Sequence, residues 1–333
     1  MDIEQRTLRR PIVFHGIGLH TGESCQMTIH PAKENSGITF RRSGCNLETN
    51  ASWDRVIDSQ LSTVIGLDPK SLVGGSFRQR LGVIAMRFGA PSFGRILTSQ
   101  FFSTVEHILA ALYGADVDNA VIELTSSEVP IMDGSSLAFS EKLMSPNAVV
   151  PIPYSSVKVF RVLRLVSVLS DGGRSVSIEP LCSERPSSIA PCDLHISVQV
   201  DFGDRIRDGA GGSQRLTLWR KDFHRELAAA RTFCFHEDVE AMRARRLSLG
   251  GSLDNALVFA GGRALNKGGL RYADEVVRHK ALDALGDLRL GGRLVGRYTG
   301  VRPGHALNLR LLRKLFAGTD RWIGAREGSV QKF

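Results

Sequence analysis

The order of the predicted secondary-structure elements constrains this chain more than any other feature of its sequence. Alternating apolar residues predict strands over 7–19 and 25–30, joined as a hairpin, ahead of the first clear helix at 103–113. A second run of strands, between residues 157 and 202, precedes a helix at 274–285. Because a sheet must cover its apolar face with another layer, this repeated order predicts an α+β protein with two layered units.

Three prolines within residues 145–153 predict the linker between two domains, near the middle of the 333-residue chain. The formal net charge of +9 is unevenly distributed. Residues 1–150 hold 13 basic and 15 acidic side chains, whereas residues 151–333 hold 30 and 19. The basic second half suits an acidic partner, namely nucleic acid, anionic lipid or a phosphorylated small molecule; the alternative is a solvated basic surface.

Composition excludes several classes of protein. Aromatic residues make up 7% of the chain and form no basic aromatic cluster, so we expect no nucleic-acid partner. No stretch approaches about 18 uninterrupted apolar residues, and the acidic start lacks an apolar signal segment, which predicts a cytoplasmic protein without stable membrane insertion. The cysteines are odd in number and form no CxxC pair, which predicts free thiols at Cys25, Cys45, Cys182, Cys192 and Cys234.

The helix predicted at 274–285 combines an apolar stripe with residues that can bind a metal. His279, Asp283 and Asp287 follow one another at intervals of four, so they project from the face opposite the stripe. An imidazole nitrogen and a carboxylate oxygen one turn apart can bind one zinc ion. The alternative is a solvated face that carries a His–Asp pair.

Two further histidines lie near helix ends. Ser103 and Glu106 have the spacing of a capping box, and Glu106 precedes His107, which places a carboxylate beside a potential metal ligand. A hydrolytic metal site needs such a base, although a capping partner and a structural histidine are the alternatives. His305 lies at the start of a predicted helix, where an imidazolium needs a compensating carboxylate such as Asp287; the alternative is a surface histidine.

The candidate residues belong to a set of seven short motifs that follow one another along the chain. Together they resemble the UDP-3-O-acyl-N-acetylglucosamine deacetylases, the zinc amidases of lipid A synthesis, and the resemblance runs from about residue 5 to residue 315. The motifs are residues 15–22 (HGIGLHTG), 103–107 (STVEH), 130–135 (PIMDGS), 230–233 (ARTF), 249–252 (LGGS), 278–288 (RHKALDALGDL) and 304–308 (GHALN).

The resemblance implies a zinc site shared by two helices. His107, His279 and Asp283 would bind one zinc ion per chain, with iron as the alternative metal in cells, and water would take the fourth position. Glu106 would act as the general base when this water attacks the N-acetyl carbonyl group.

The resemblance also implies the rest of the catalytic set. His305 would be the protonated partner that stabilises the oxyanion or protonates the leaving amine, and Asp287 would keep it in register and charged. Thr232 would donate a hydrogen bond to the developing oxyanion, and Lys280 would help to bind the substrate.

The implied substrate is UDP-3-O-acyl-N-acetylglucosamine. An aromatic side chain would contact its sugar and nucleotide end, basic side chains would contact its diphosphate, and small or apolar residues would complete the site. The predicted contacts are, in that order, Phe233, then Lys158 and Arg302, then Leu61, Gly250 and Leu253.

The family's fold implies two similar βααβ-layered domains, packed helix to helix, with the active site between them. We expect a first domain at 1–150 that carries an insert at about 68–102. A second domain at 151–317 would carry a βαβ insert at about 232–262 that encloses the acyl chain, and residues 318–333 would form a C-terminal tail.

The predicted reaction is hydrolysis of the N-acetyl group, which gives UDP-3-O-acyl-glucosamine and acetate in an early committed step of lipid A biosynthesis. The polar residues His236 and Asn255 in the acyl insert leave a metal amidase that acts on another acylated sugar as the alternative. We expect a monomer whose membrane contact, if any, is peripheral.

Overall fold

The structure is a computed structural model, and it describes residues 4–44, 46–66, 101–181 and 193–326. Of the insert predicted at 68–102, all but the last two residues lie outside the described residues. Cys45, Cys182 and Cys192 also lie outside them. Of the cysteines within the described ranges, Cys25 and Cys234 are free thiols, as predicted. The fold mixes helices and sheets, which confirms the α+β class.

In the first half of the chain, a five-stranded sheet accompanies a buried helix, α1. The elements are β1 (Arg6–Leu8), β2 (Ile12–Ile17), β3 (Ser24–Pro31), β4 (Ile38–Arg42), β5 (Glu48–Asn50), β6 (Val56–Asp58), β7 (Val64–Gly66), β8 (Phe101–Phe102), α1 (Glu106–Gly114), β9 (Ala120–Leu124), α2 (Leu137–Met144) and β10 (Val149–Pro151). The sheet has the order β2-β3-β9-β4-β5, in which only β4 and β9 run parallel. The predicted hairpin is the β2–β3 pair.

In the second half, a seven-stranded sheet lies against two longer helices. The elements are β11 (Lys158–Val162), β12 (Val166–Ser170), β13 (Arg174–Glu179), β14 (Leu194–Asp201), β15 (Ser213–Trp219), α3 (Phe223–Glu226), β16 (Phe233–Phe235), α4 (His236–Ala244), β17 (Leu257–Ala260), β18 (Arg263–Ala264), α5 (Glu275–Arg289), β19 (Arg293–Val301), α6 (His305–Phe316) and β20 (Trp322–Arg326). Strand β19 is central, since it pairs with β11, β13 and β14. Helix α5 packs on β14, and α6 packs on β12 and β13.

Helix α1 packs along α5, and this contact brings the motif-bearing helices together. All but the last residue of α1 is buried, including the face that carries Glu106 and His107. One continuous cluster of buried apolar side chains extends through both halves. No helix within the described residues is long and apolar enough to cross a membrane.

A strand–helix–strand element projects beside this helix pair. Strands β16 and β17 run parallel and are joined through α4, and β18 pairs with β17 on its other edge. It occupies the region where the sequence predicts a βαβ insert.

One local prediction was wrong, and two predicted connecting segments contain strands. Helix α1 has no side-chain cap, because the Ser103 hydroxyl donates to the Ser127 carbonyl and Glu106 turns inward. Part of the predicted linker is β10, which pairs with β1. Part of the predicted tail is β20, which pairs with β11, because its backbone completes the edge of the second sheet.

Candidate active site

Three potential metal ligands converge from α1 and α5. His107 near the start of α1 and His279 and Asp283 in α5 place one ligand atom each within 4.8 Å of one another. The Asp283 Oδ1 atom lies 3.7 Å from His107 Nε2 and 3.4 Å from His279 Nε2. All three side chains are buried. The sequence spacing accounts for the α5 pair, and the packing of α1 on α5 adds the third donor.

The protonation states of these side chains suit a metal ion. Burial lowers the pKa of His107 to about 3, and burial also lowers the pKa of His279. Burial opposes the charge on Asp283, but electrostatic interactions with its neighbours, His279 and Lys280 first among them, outweigh burial and lower its pKa. Two neutral imidazoles and an ionised carboxylate are the forms that bind zinc, so the residues fit such an ion.

His279 is held in the tautomer that this geometry requires. Its Nδ1 atom lies 3.0 Å from the Ala230 carbonyl oxygen. A carbonyl oxygen only accepts hydrogen bonds, so Nδ1 carries the proton and Nε2 keeps its lone pair toward Asp283. The backbone carbonyl group of Ala230 thus orients the potential metal ligand His279.

Glu106 lies next to the three ligands and is buried. Its Oε2 atom accepts a hydrogen bond of 3.0 Å from the Thr63 backbone N–H, and its Oε1 atom lies 3.9 Å from His305 Nε2. Burial raises the pKa of Glu106 to about 7, although the charge of His305 works in the opposite direction. A carboxylate with a pKa near 7 can exchange a proton at neutral pH, which suits a general base.

His305 begins α6 and faces the same site. Its Nδ1 atom lies 2.9 Å from Asp287 Oδ2, and Asn308 Nδ2 donates to the same oxygen at 2.8 Å. Burial disfavours the charge on His305, but the carboxylate groups of Asp287, Glu106 and Asp283 outweigh it and raise its pKa to about 9. The imidazolium form therefore persists at neutral pH, in spite of the helix N-terminus.

Lys280 and Phe233 border the ligands on one side. Lys280 Nζ forms an ion pair of 2.8 Å with Asp283 Oδ2 and lies 5.5 Å from the centre of the Phe233 ring. Thr232 is fixed just before β16, because its N–H donates to the Gly134 carbonyl at 2.7 Å and its carbonyl accepts from Leu257 N–H at 2.8 Å. All three side chains line the same cavity as the ligands.

This cavity has a volume of about 940 Å³ and is lined by residues from both halves of the chain. Its polar end holds the ligands, Glu106 and His305, together with Arg174 and Arg302. Its other end is bounded by the strand–helix–strand element and is largely apolar, with the side chains of Val239, Met242, Leu253, Val258 and Leu265. A ligand with a charged part and an apolar part matches this lining.

The structure places most of the predicted contact residues on the cavity wall, but two lie elsewhere. Leu61, Phe233, Leu253 and Arg302 line the cavity, and Asp287 lies directly behind His305. Lys158 is not among the residues that line the cavity, and its ammonium group lies over the Phe160 ring of the same strand, β11.

Gly250 also lies behind the wall instead of lining it. Its N–H donates to the Leu19 carbonyl, and a Cβ atom there would lie 2.3 Å from the Gly18 carbonyl oxygen. Gly250 therefore allows close backbone packing beneath the cavity.

Three residues near the site were missed by the sequence analysis. Asn308 follows His305 by three positions on α6, so helical periodicity could have found it. Thr63 and Glu128 carry no such signal, because their partners are distant in sequence. The buried Glu128 carboxylate accepts hydrogen bonds from the backbone N–H groups of His20 and Thr21 and from the hydroxyl groups of Thr21 and Thr104.

The sequence matches the LpxC family, described as UDP-3-O-acyl N-acetylglycosamine deacetylase, over residues 5–74 and 91–317. The unmatched residues between these two ranges fall inside the predicted insert at 68–102. Helices α1, α5 and α6 all lie within the matched ranges.

Curated relatives share almost the whole chain. A protein of Thioalkalivibrio sulfidiphilus (strain HL-EbGR7), named UDP-3-O-acyl-N-acetylglucosamine deacetylase, is 38% identical over 324 residues, which cover 96% of this chain and 92% of the relative. Proteins with the same name from Pseudomonas entomophila (strain L48) and Marinobacter nauticus (strain ATCC 700491 / DSM 11845 / VT8) are each 36% identical over the same shares. This chain belongs to the LpxC family of deacetylases and is a hydrolase that acts on an amide bond.

Proposed function

We propose that this protein hydrolyses the N-acetyl group of UDP-3-O-acyl-N-acetylglucosamine with one zinc ion, in an early committed step of lipid A biosynthesis. One molecule of water is consumed, the amide C–N bond breaks, and acetate and the free amine leave. The observation that carries the proposal is the convergence of His107, His279 and Asp283 within 4.8 Å, beside Glu106 and His305.

Glu106 acts as the general base beside the metal ligands. His107, His279 and Asp283 would hold a zinc ion, which would supply Lewis-acid chemistry for water and for the amide carbonyl group. Glu106 accepts the proton of the attacking water, and its pKa of about 7 leaves a large carboxylate fraction at neutral pH.

His305 supplies the proton that the leaving amine needs. Its Nε2 atom faces Glu106 at 3.9 Å and Asp283 at 4.0 Å, so it points toward the ligands. Asp287 accepts from Nδ1 and keeps the ring charged and oriented. The Thr232 hydroxyl, on the cavity wall, donates to the oxyanion that forms from the carbonyl oxygen.

The shape and charge of the cavity support a UDP-sugar with an acyl chain. Lys280, Arg174 and Arg302 bind the diphosphate and position the sugar over the ligands. Phe233 packs against the sugar, and the apolar end bounded by α4 and β17 takes the acyl chain. The basic charge in the second half of the chain is therefore partly explained by an anionic substrate.

A metal amidase for another acylated sugar is the second candidate. His236 and Arg243 lie on the wall of the acyl end, where a long alkyl chain gains nothing from polar groups. Asn255 does not favour this candidate, because its side chain is occupied by the Gly250 carbonyl and the Ser252 N–H.

The experiment is turnover of UDP-3-O-acyl-N-acetylglucosamines that differ only in acyl length, with the product amine and acetate quantified. The proposal predicts turnover of at least one chain length, with loss of turnover in His279→Ala. Deacetylation of other acylated sugars but none of this series would favour the second candidate. Light scattering and sedimentation with anionic vesicles test the expected monomer and peripheral membrane contact.

A further inference from the structure

Thr63 contacts two of the residues proposed to transfer protons or to orient those that do, Glu106 and Asp287. It is 2% exposed and lies just before β7, in a segment whose neighbours Leu61 and Ser62 line the cavity. Its backbone N–H donates to Glu106 Oε2 at 3.0 Å, and its hydroxyl group donates to Asp287 Oδ1 at 2.5 Å. Thr63 thus contacts both the proposed base, Glu106, and Asp287, the carboxylate that holds the proposed acid His305.

The direction of these hydrogen bonds follows from the groups involved. A carboxylate only accepts, so the Thr63 hydroxyl donates its proton to Asp287. The other carboxylate oxygen, Oδ2, receives Asn308 Nδ2–H and His305 Nδ1–H. Both oxygens of Asp287 are therefore occupied, which fixes the plane of the carboxylate that orients His305.

The same residue also holds the start of α1. The Thr63 carbonyl oxygen accepts a hydrogen bond of 3.4 Å from the N–H of Val105, the residue before α1. The Thr63 hydroxyl lies 3.4 Å from His305 Nδ1, farther than Asp287 at 2.9 Å, so it does not compete for the imidazole proton. Thr63 therefore touches α1, α5 and α6 at the point where their functional side chains meet.

We propose that Thr63 is a positioning residue that sets Glu106 and the His305–Asp287 pair in register for successive proton transfers. This inference rests on the proposed function. Positioned acid and base groups lose efficiency when their orientation relaxes by even a fraction of an ångström. The backbone contact holds Glu106 whatever the side chain, whereas the hydroxyl group controls Asp287, so the side chain alone can be tested.

The test compares Thr63→Val, Thr63→Ser and Thr63→Ala in purified full-length protein, each with metal content and thermal midpoint measured. Valine keeps the shape and removes the hydroxyl group, and we expect it to lower kcat by about 10- to 100-fold, as for loss of a hydrogen bond to a charged group. KM should change by less than about twofold, because Thr63 does not line the cavity. Serine should restore most of the lost kcat.

Thr49→Val is the matched control. Thr49 is also buried, and its hydroxyl donates to the Gly66 carbonyl at 2.7 Å, in the strand that follows Thr63. The same chemical change there should leave kcat within about twofold while costing similar stability. If valine at 63 does not fold, the serine and alanine variants, which differ by the hydroxyl group alone, give the same comparison.

Two outcomes would overturn the inference. One is a folded, metal-loaded Thr63→Val protein with the original kcat; the other is a Thr63→Ser protein as slow as the alanine variant. A double variant adds a further check: Thr63→Val should add little to Asp287→Ala, and full additivity would also contradict it. Failure of the proposed function is distinguishable, because Glu106→Gln and His279→Ala would then leave turnover unchanged.

Discussion

Gly286 of α5 lies directly against the backbone of Glu106 in α1. A Cβ atom on Gly286 would lie 2.0 Å from the Glu106 carbonyl oxygen, closer than real Cβ atoms approach any group. The absence of a side chain at this single position lets the two ligand-bearing helices touch. The distance between His107 and the α5 ligands therefore depends on a glycine that carries no chemistry itself.

Gly286→Ala should separate α1 from α5. We expect the free energy of unfolding to fall by about 1–3 kcal/mol, as for an overpacked core, and the zinc affinity to fall with it. Thermal unfolding and zinc titration measure both. Gly268→Ala is the control, since nothing lies within 4 Å of its Cβ position. Equal stability and equal zinc affinity of the two variants would show that the contact between Gly286 and Glu106 does not determine the geometry of the metal ligands.

Replacing the proposed base should slow the chemistry without disturbing binding. Glu106→Gln keeps the size of the side chain and its contact with Thr63 but cannot accept a proton. We expect kcat to fall by about 10²- to 10⁴-fold, with KM and metal content little changed. Steady-state kinetics on metal-loaded protein measure this, with the exposed Glu48→Gln as the control. Retention of kcat would remove Glu106 from the mechanism.

The pH profile of kcat should have an acidic limb and an alkaline limb. Burial raises the pKa of Glu106 to about 7, so the carboxylate form that accepts a proton is lost as pH falls through that value. Burial opposes the charge on His305, but Asp287 and the other carboxylates raise its pKa to about 9, so the proton donor is lost above that pH. The kcat should rise through pH 7 and fall above pH 9.

Asp287→Asn removes the main charge that favours the His305 imidazolium. The pKa of His305 should therefore fall, and the alkaline limb of the profile should move to lower pH. The measurement is kcat from pH 5 to 10 for both proteins. A profile that is flat between pH 5 and 9, or an alkaline limb that does not move, would contradict the assignment of acid and base.

Much of the site could be predicted from local spacing. The four-residue intervals of His279, Asp283 and Asp287 identify one face of one helix, and Glu106 and His107 are adjacent in sequence. Thr63 could not be found this way, because it is 43 residues from Glu106 and 224 from Asp287. Such contacts depend on how the chain packs, which periodicity does not encode.

Two differences between the structure and the sequence-based expectation have a related cause. Ser103 and Glu106 have capping-box spacing, but tertiary contacts with Ser127 and Thr63 outweigh the local cap. Lys158 was predicted to contact the diphosphate, but its ammonium group lies over the Phe160 ring. Where a residue type fits two roles, the fold decides between them.

Glu128 offers a test of how the cavity edge is held. Its carboxylate is fully buried and receives four donors from His20, Thr21 and Thr104. Glu128→Ala leaves these donors unpaired and should lower the free energy of unfolding by about 3 kcal/mol. KM should rise as well, because His20 lines the cavity. Denaturant unfolding and steady-state kinetics measure the two effects, and the exposed Glu141→Ala is the control. An unchanged KM would show that the hydrogen bonds of Glu128 do not influence substrate binding.

Zinc-dependent deacetylation is tested most directly by metal content measured together with turnover of UDP-3-O-acyl-N-acetylglucosamine. We expect about one zinc ion per chain, loss of turnover on chelation and recovery on re-addition of zinc. His279→Ala should lose both metal and turnover, since it removes one of the three convergent ligands. Full turnover in chelated protein that contains no metal, or in the His279→Ala variant, would show that this protein is not a zinc-dependent deacetylase with this ligand set.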